Sequence, residues 1–227
     1  MKLAVFLDFD DTVTVQNVAH SLFKRFIPEP AAKYTAMYRS GEITFREYQE
    51  KSFNAIDVPL ELIQEAAALE TTLRPGFDLL VRRLQQSGSP VTIVSAGLDL
   101  YIRPVLERAG FGALTLVCAS ATQNGTSGDR FRYDYSAGSG TCSGDWATCK
   151  CAALESAERG AATVFVGDGS TSDVCAARKA DYVFARERLL KHCRENGTTA
   201  TPFEDFFTIA EFVAHLIDSQ PAGQSER

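Results

Sequence analysis

The stretch Leu3-Ala4-Val5-Phe6-Leu7-Asp8-Phe9-Asp10-Asp11-Thr12 opens the chain with a short apolar run that ends in acids. An apolar run without alternation is typical of a strand buried on both faces of a parallel sheet. Similar β-branched and aromatic runs follow at residues 91–94, 114–118, 163–166 and 182–185, and most are separated by stretches with helical periodicity. Strands that alternate with helices predict an α/β fold, with a Rossmann-like parallel sheet covered by helices on both faces.

Residues 16–72 interrupt this pattern, since they contain helical stretches with breaks at prolines and no convincing strand. Loops between a strand and a helix are usually only a few residues long, and longer insertions often carry function, such as a lid over a site. We therefore predict a core domain of residues 1–15 and 73–227 and a small helical cap domain of residues 16–72, inserted after the first strand. The cap aromatic residues are expected mainly to pack between helices, with one or two facing a substrate: Tyr34, Tyr38, Phe45, Tyr48 and Phe53.

The composition limits the classes of function that the chain can serve. Its 227 residues carry a formal net charge of −6 and show no basic run or stripe, so a nucleic-acid partner is not expected. The first apolar run is too short for a signal peptide or a membrane span, which predicts a cytoplasmic protein without a membrane partner. We expect a monomer or a homodimer. Residues 130–135 alternate between polar and aromatic, which predicts a small exposed strand or hairpin.

Three of the predicted strands end in polar residues. The first is followed by Asp8 and Asp10, the second by Ser95-Ala96-Gly97, and the fourth by Gly167-Asp168-Gly169. Ligands bind at the carboxyl ends of the strands in an open parallel sheet, at the point where the strand order reverses. These residues should therefore converge, although Ser95 taken alone is also typical of the N-cap of a following helix.

Converging acids predict a cation and phosphate chemistry. Carboxylates held close together repel each other unless a cation neutralises them. Mg²⁺ prefers a few carboxylates together with water and phosphate oxygens, and a carboxylate beside such an ion can attack phosphorus. The hydroxyl of Ser95 and the backbone N–H groups of Ala96 and Gly97 are expected to hold phosphate oxygens. Lys150 is the candidate fixed cation for the phosphate.

Four motifs in order give the chain a family resemblance. They are Asp8-Phe9-Asp10-x-Thr12, a strand that ends in Ser95, then Lys150, then Gly167-Asp168-Gly169-x-x-x-Asp173. Together they resemble the motifs of the haloacid dehalogenase-like phosphatases, and the resemblance covers nearly the whole chain. It implies a magnesium-dependent phosphomonoesterase that forms an aspartyl-phosphate intermediate.

The resemblance also implies a role for the residues that follow the first strand and for the phosphate site. Asp8 resembles the nucleophile and a metal ligand. Asp10 resembles the general acid and base, and it binds the metal through its carbonyl. Thr12 resembles the residue that steadies the Asp10 loop beside the phosphate. Ser95 and Lys150 resemble the residues that hold the phosphate.

The last motif resembles the remaining part of the metal site. Asp168 resembles the third metal anchor, and Asp173 resembles a ligand or a support for one. The spacing between these two acids is one residue longer than in close relatives, although both spacings occur in the wider superfamily. This departure leaves the catalytic pattern intact and the role of Asp173 open.

The helical cap resembles the subgroup that includes phosphoserine phosphatase. Within it, the chain is similar to the 2-hydroxy-3-keto-5-methylthiopentenyl-1-phosphate phosphatases over residues 140–143 with 149–151, 181–186 and 201–206. In the phosphoserine phosphatase pattern an acid nine positions after the nucleophile meets the substrate's ammonium group, and here that position is the neutral Asn17. The expected substrate is therefore a small phosphorylated hydroxy, keto or sugar-like metabolite related to the methylthiopentenyl phosphate, with contact from Asn17. A phosphoserine-like substrate is the alternative.

Two further functions remain open on the same residues. A phosphotransferase or mutase would use the same aspartyl-phosphate chemistry, but it needs an acceptor that outcompetes water. A catalytically idle binding module has no need for a nucleophile, so the acids and the lysine argue against it: Asp8, Asp10, Lys150 and Asp168.

The cysteines suggest a second metal site. Cys142, Cys149 and Cys151 lie around Lys150, but three thiols are one short of a structural zinc site. We therefore expect reduced thiols that support the loop of Lys150, with zinc as the alternative. The other three are expected to be ordinary buried small residues: Cys118, Cys175 and Cys193.

Overall fold

The computed structural model describes residues 2–124, 129–138, 142 and 146–218. Within these residues one seven-stranded sheet has the order β4-β3-β2-β1-β5-β6-β7. Only β4 runs antiparallel, against β3. The strands are β1 (Leu3–Leu7), β2 (Val91–Leu98), β3 (Thr115–Gln123), β4 (Phe131–Asp134), β5 (Ala162–Gly167), β6 (Tyr182–Ala185) and β7 (Thr201–Pro202).

Helices fill most of the connections between these strands. They are α1 (Val18–Phe26), α2 (Pro28–Arg39), α3 (Phe45–Asn54), α4 (Leu60–Glu70), α5 (Phe77–Gln86), α6 (Asp99–Arg108), α7 (Lys150–Glu155), α8 (Val174–Lys179), α9 (Glu187–Glu195) and α10 (Phe206–Asp218). None of the helices in the described part of the chain is long and apolar enough to cross a membrane.

The first strand lies at the centre of the sheet, as its apolar sequence predicts. All five residues of β1 are buried, and the strand pairs in parallel with β2 on one side and β5 on the other. The chain thus builds one half of the sheet with β2 and β3 and then crosses to the other half with β5 and β6. The strand order reverses beside β1, and this reversal creates a crevice at the carboxyl ends of the strands.

Four helices, α1 to α4, lie within residues 16–72. Thr14 and Leu73 form an antiparallel bridge that brings the two ends of this segment together. Inside it, the rings of Phe23 and Phe53 pack edge to face with centroids 4.7 Å apart, and Phe53 is fully buried. The helical content agrees with the sequence pattern, and the division into a core domain and a cap domain stays a prediction.

Within residues 130–135 a strand forms over Phe131–Asp134, but the prediction that it is exposed was wrong for its inner face. Phe131 in β4 is 2% exposed, and its backbone N–H donates to Asn54 Oδ1 at 3.1 Å. The Arg130 guanidinium donates to the carbonyls of Ile56 and Val58. The β3–β4 hairpin therefore reaches across to the helical segment and contacts the region that follows α3.

Candidate active site

The carboxyl ends of β1, β2 and β5 open onto a cavity of about 500 Å³. Most of the residues predicted for the site line this cavity: Asp8, Asp10, Asn17, Ser95, Ala96, Gly97, Lys150, Asp168 and Asp173. The helical segment supplies the opposite wall, with side chains from α1, α2 and α3. The expected convergence of residues that are distant in sequence thus follows from the parallel topology.

Lys150 forms the centre of the charged network. It is the first residue of α7 and is 1% exposed, and its Nζ lies 2.5 Å from Asp8 Oδ1 and 2.5 Å from Asp173 Oδ1. Burial lowers the pKa of this lysine, but Asp173 and Asp8 outweigh burial and hold the pKa above its ordinary value. Lys150 therefore stays charged and is a fixed cation at the floor of the cavity.

Three acids crowd the same place. The carboxylates of Asp8, Asp168 and Asp173 offer oxygens that all lie within 4.8 Å of one another. Burial raises the pKa of Asp8 well above its ordinary value, with Lys150 opposing this effect, and burial raises the pKa of Asp168 to about 6. Buried carboxylates that resist ionisation fit a hard divalent cation with oxygen ligands, because its charge would offset the cost of burying theirs.

Asp173 differs from the other two acids in its contacts. Its Oδ2 accepts hydrogen bonds from the backbone N–H groups of Asp168 at 3.1 Å and Gly169 at 2.8 Å. Its Oδ1 contacts Lys150 Nζ. Both carboxylate oxygens of Asp173 thus already contact other groups of the protein. Asp173 thereby connects the loop after β5 to Lys150.

The carboxylate of Asp10 accepts two hydrogen bonds. Tyr101 Oη donates to Asp10 Oδ2 at 2.7 Å, and the backbone N–H of Val18 donates to Oδ1 at 2.6 Å. Burial raises the pKa of Asp10 to about 6, and the Tyr101 bond limits the rise. A Cβ atom on Gly97 would lie 1.8 Å from Tyr101 Oη, so a glycine at this position gives the tyrosine room to reach Asp10.

The acids after β1 lie in a tight turn, Phe9–Val13, that needs support. Asp11 has a φ of 61°, a conformation that aspartate tolerates better than most residues. Arg74 is 6% exposed and donates to the carbonyls of Asp11 at 2.6 Å and Thr12 at 2.7 Å. It also donates to Thr14 O at 3.1 Å. Sequence reasoning missed this arginine, whose only local signal is its place directly after the helical segment.

Thr12 lies beneath the cavity and does not line it. Its side chain is fully buried, and Oγ1 donates to Asp168 Oδ1 at 3.0 Å. The prediction that Thr12 contacts phosphate stays a prediction, since in this structure its hydroxyl contacts Asp168. This hydrogen bond ties the turn after β1 to the loop after β5.

Ser95 and its two neighbours are part of the end of β2. The strand continues to Leu98, with an irregular register between Val94 and Leu98, and α6 has Leu98 at its N-cap. The alternative that Ser95 caps this helix was therefore wrong. Ser95 is 1% exposed, and its Oγ accepts a hydrogen bond from Gly97 N at 3.0 Å. The segment lines the cavity beside Asp8.

Asn17 lines the cavity, but its amide already has two contacts. Oδ1 accepts from His20 N at 2.9 Å and thereby caps α1, and Nδ2 donates to Asp11 Oδ2 at 3.2 Å. The side chain thus fixes the start of the helical segment relative to the turn after β1.

Gln49 in α3 connects the helical segment to the end of β2. It is 3% exposed and lines the cavity, and Nε2 donates to Ala96 O at 2.9 Å. Its Oε1 is buried and has no hydrogen-bond partner among the described residues. The aromatic residues that face the cavity from this side are Phe23, Tyr38, Phe45 and Tyr48.

Comparison with known proteins places the chain in a family. The pattern of the haloacid dehalogenase-like hydrolases matches residues 5–178. The chain belongs to this family. The family predicted from the four motifs and the α/β fold predicted from the alternation of strands and helices are therefore confirmed.

Two relatives align over most of this hydrolase. The 2-hydroxy-3-keto-5-methylthiopentenyl-1-phosphate phosphatase of Geobacillus kaustophilus is 30% identical over 218 residues, which cover 95% of this chain and 97% of that protein. The bifunctional enzyme MtnB/MtnX of Bacillus licheniformis is 31% identical over 207 residues, 90% of this chain. The hydrolase spans about half of that relative, 48% of its length.

A solved structure with the same fold is the substrate-bound complex of a phosphoserine phosphatase. It superposes with a TM-score of 0.67 at 21% sequence identity and covers 93% of this chain and 98% of that one. At this identity the likeness concerns the fold.

The cysteines of this hydrolase are arranged differently from the sequence-based expectation. Cys175 was expected to be an ordinary buried residue, but its sulfur lies with those of the cysteines around Lys150 and is joined to Cys151 in a disulfide. The expectation that Cys151 is a reduced thiol was therefore wrong; it followed from the prediction of a cytoplasmic protein, in which disulfides are rare. The remaining four are free thiols: Cys118, Cys142, Cys149 and Cys193.

Proposed function

We propose that this hydrolase is a magnesium-dependent phosphomonoesterase that acts on a small phosphorylated metabolite. The observation that carries the proposal is the Lys150 network, in which one buried cation contacts Asp8 beside two further buried acids. The cavity thus contains a carboxylate that can act as the nucleophile. The lysine and a bound cation would supply two positive charges that stabilise a phosphoryl group. The names of the curated relatives support the same chemistry.

The acid cluster fits Mg²⁺. Asp8 and Asp168 would hold the ion through their carboxylates and Asp10 through its backbone carbonyl, while Asp173 orients Lys150 and the loop that carries Asp168. Mg²⁺ would neutralise the acids and polarise the phosphoryl oxygens when bound. This arrangement uses oxygen ligands, which this ion prefers.

The chain's own residues supply the covalent steps. The Asp8 carboxylate attacks phosphorus, and the ester P–O bond breaks as the Asp8–phosphate bond forms. Asp10, whose pKa is about 6, gives its proton to the leaving oxygen. In the second step Asp10 takes a proton from water, which attacks phosphorus and releases inorganic phosphate and free Asp8. Ser95 and Lys150 hold the phosphoryl oxygens in both steps.

The substrate class follows from the wall that faces the phosphate site. The cavity-lining residues contributed by α1 to α3 include Arg39 and no carboxylate, so the described helical segment offers no anionic partner for an ammonium group. The buried Oε1 of Gln49 instead lacks a hydrogen-bond donor. A substrate hydroxyl would satisfy this oxygen, and a buried acceptor left unpaired costs about 1–3 kcal/mol. We propose a phosphorylated hydroxy or keto compound rather than an amino acid phosphate.

A phosphate-release screen with Mg²⁺ tests the proposal. We expect turnover of phosphorylated hydroxyketones, enols, polyols or sugars without any added acceptor, with kcat/KM at least tenfold above that for phosphoserine. Asp8→Asn should abolish turnover because it removes the attacking charge, while circular dichroism remains unchanged. The Gln49→Met variant should lose its preference for hydroxylated over deoxy substrates.

Three results would contradict the proposal. Near-normal activity of Asp8→Asn would refute the mechanism. Turnover that requires an acceptor other than water would indicate a phosphotransferase. Phosphoserine as the best substrate would refute the argument from Gln49 and Asn17.

A further inference from the structure

Four cysteine sulfurs meet behind the proposed active site. Cys142 Sγ lies 3.1 Å from Cys151 Sγ, 3.2 Å from Cys175 Sγ and 3.2 Å from Cys149 Sγ. Cys151 and Cys175 are joined to each other. One sulfur thus contacts three others, and no other described group of His and Cys residues forms such a cluster.

Three separate segments bring these sulfurs together. Cys142 lies in the stretch before α7, Cys149 and Cys151 flank the first residue of α7, and Cys175 is the second residue of α8. A pair of cysteines suffices for a disulfide, so a disulfide alone leaves the positions of the other two thiols unexplained. The sulfurs of Cys142, Cys151 and Cys175 lie within 4.8 Å of one another, and Cys149 Sγ contacts Cys142 Sγ. Four cysteine thiolates are the ligand set of a structural zinc site.

We propose that these four cysteines, in their reduced form, bind one Zn²⁺ as a structural site. Tetrahedral zinc with bonds of about 2.3 Å places its sulfur ligands about 3.8 Å apart. The contacts of Cys142 Sγ with the other three sulfurs would therefore lengthen by well under 1 Å. The bonded sulfurs of Cys151 and Cys175 would separate further, once the disulfide between them is reduced. The thiol that sequence reasoning lacked for such a site is Cys175.

The surroundings of Cys149 favour a thiolate. Burial raises the pKa of Cys149, but hydrogen bonds from the backbone of Ala152 and from Cys142 outweigh burial and hold this pKa below its ordinary value. Burial and the hydrogen bond with Cys149 raise the pKa of Cys142, so Cys149 is the thiolate of this pair. Lys179 on α8 lies close enough to Cys142 and Cys149 for their charges to interact. A zinc ion with four thiolates carries a net charge of −2, and this lysine would offset part of it.

Zinc binding requires a defined chemical change in the cluster. The Cys151–Cys175 bond first accepts two electrons and two protons from a dithiol reductant, which becomes a disulfide itself. This step yields four thiols. Zn²⁺ then forms four bonds to sulfur, and the four thiol protons are released to the solvent.

The site would fix two elements of the proposed catalytic network. Cys149 and Cys151 flank Lys150, and Cys175 follows Asp173 by two residues. The ion would therefore clamp the start of α7 to the start of α8, directly behind the 2.5 Å contact between Lys150 and Asp173. Its role is distinct from that of Mg²⁺, because the ligands are sulfurs outside the acid cluster.

The test is metal binding by the reduced full-length protein. The protein is reduced with a phosphine and given one equivalent of Zn²⁺ in the presence of excess Mg²⁺. It is then desalted, and its zinc content is measured by elemental mass spectrometry. We expect one zinc per chain, and cobalt substitution should give the thiolate charge-transfer bands of tetrahedral Co²⁺. Cys142→Ser and Cys175→Ser should each bind zinc at least tenfold more weakly, whereas Cys118→Ala, outside the cluster, should bind like wild type.

Three results would overturn the proposal. The first is zinc well below one equivalent in the reduced wild-type protein. The second is zinc binding by the Cys142→Ser and Cys175→Ser variants that equals wild type. The third is cobalt spectra without thiolate bands, which would place the ion on the carboxylates. Cys142→Ser changes a residue outside the helices. If a variant fails to fold, native mass spectrometry of the folded wild-type protein still measures how many zinc ions each chain binds.

Discussion

Replacement of Asp168 by Asn should make the metal-free hydrolase more stable while it removes activity. Burial, together with Asp173 and Asp11, raises the pKa of Asp168 from 3.8 to about 6. Because the folded-state pKa lies above the unfolded value, this group's contribution to stability is intact below about pH 4 and is lost as the pH rises through about 6. The ionised carboxylate then costs about 3 kcal/mol at pH 7 and about half of that at pH 5.

The substitution keeps the one side-chain contact that the carboxylate makes below the cavity. Asn can still accept the 3.0 Å hydrogen bond from Thr12 Oγ1, so the gain in stability reflects the removed charge. Urea unfolding in a chelator, followed by circular dichroism between pH 5 and pH 8, measures this gain. The exposed Asp78 offers a matched control, since Asp78→Asn should change the free energy of unfolding by less than about 0.5 kcal/mol at every pH.

Two results would refute this reasoning. The first is an Asp168→Asn variant that is no more stable than wild type in chelator at pH 7. The second is a gain that does not grow between pH 5 and pH 7. Added Mg²⁺ should stabilise wild type more than the variant, because a ligand that binds only the folded state stabilises it.

The remaining predictions concern single contacts and the metal. Arg74→Ala should lower the free energy of unfolding by about 3 kcal/mol, because it leaves the carbonyls of Asp11, Thr12 and Thr14 without their donor. Replacement of the exposed Arg82 by Ala is the control in the same urea assay. Tyr101→Phe should lower kcat about tenfold with little change in KM, since it removes the 2.7 Å hydrogen bond that orients Asp10; unchanged steady-state kinetics would contradict that role. Chelation should stop phosphate release and Mg²⁺ should restore it, whereas Ca²⁺, with more ligands at longer distances, should restore little; full activity in excess chelator would exclude the metal.

The residues at strand ends were predictable because their signal is local. The predicted runs Leu3–Leu7 and Tyr182–Ala185 coincide with β1 and β6. Each apolar run indicates a buried strand without information from the rest of the chain. Parallel topology then places Asp8, Ser95 and Asp168 at one edge without further information. The fold could thus be predicted from the alternation of apolar runs with helical stretches, and the family from four short motifs.

The residues that support the site were not predictable in this way. Tyr101 and Arg74 act through contacts across 91 and 60 to 63 residues of sequence with the turn after β1. Such contacts depend on how helices return to the sheet, which no local pattern encodes.

The hydrogen bond from Gln49 Nε2 to Ala96 O joins the helical segment to the end of β2, which is proposed to hold phosphate. Any separation of these two parts breaks it, so it opposes the escape of inorganic phosphate after hydrolysis. Lid opening and product release limit kcat in many enzymes. Substrate choice and turnover rate are then coupled in this protein, because the amide that would accept the substrate hydroxyl also retards departure of the product. A Gln49 variant with relaxed specificity is expected to show a kcat that depends less on solvent viscosity.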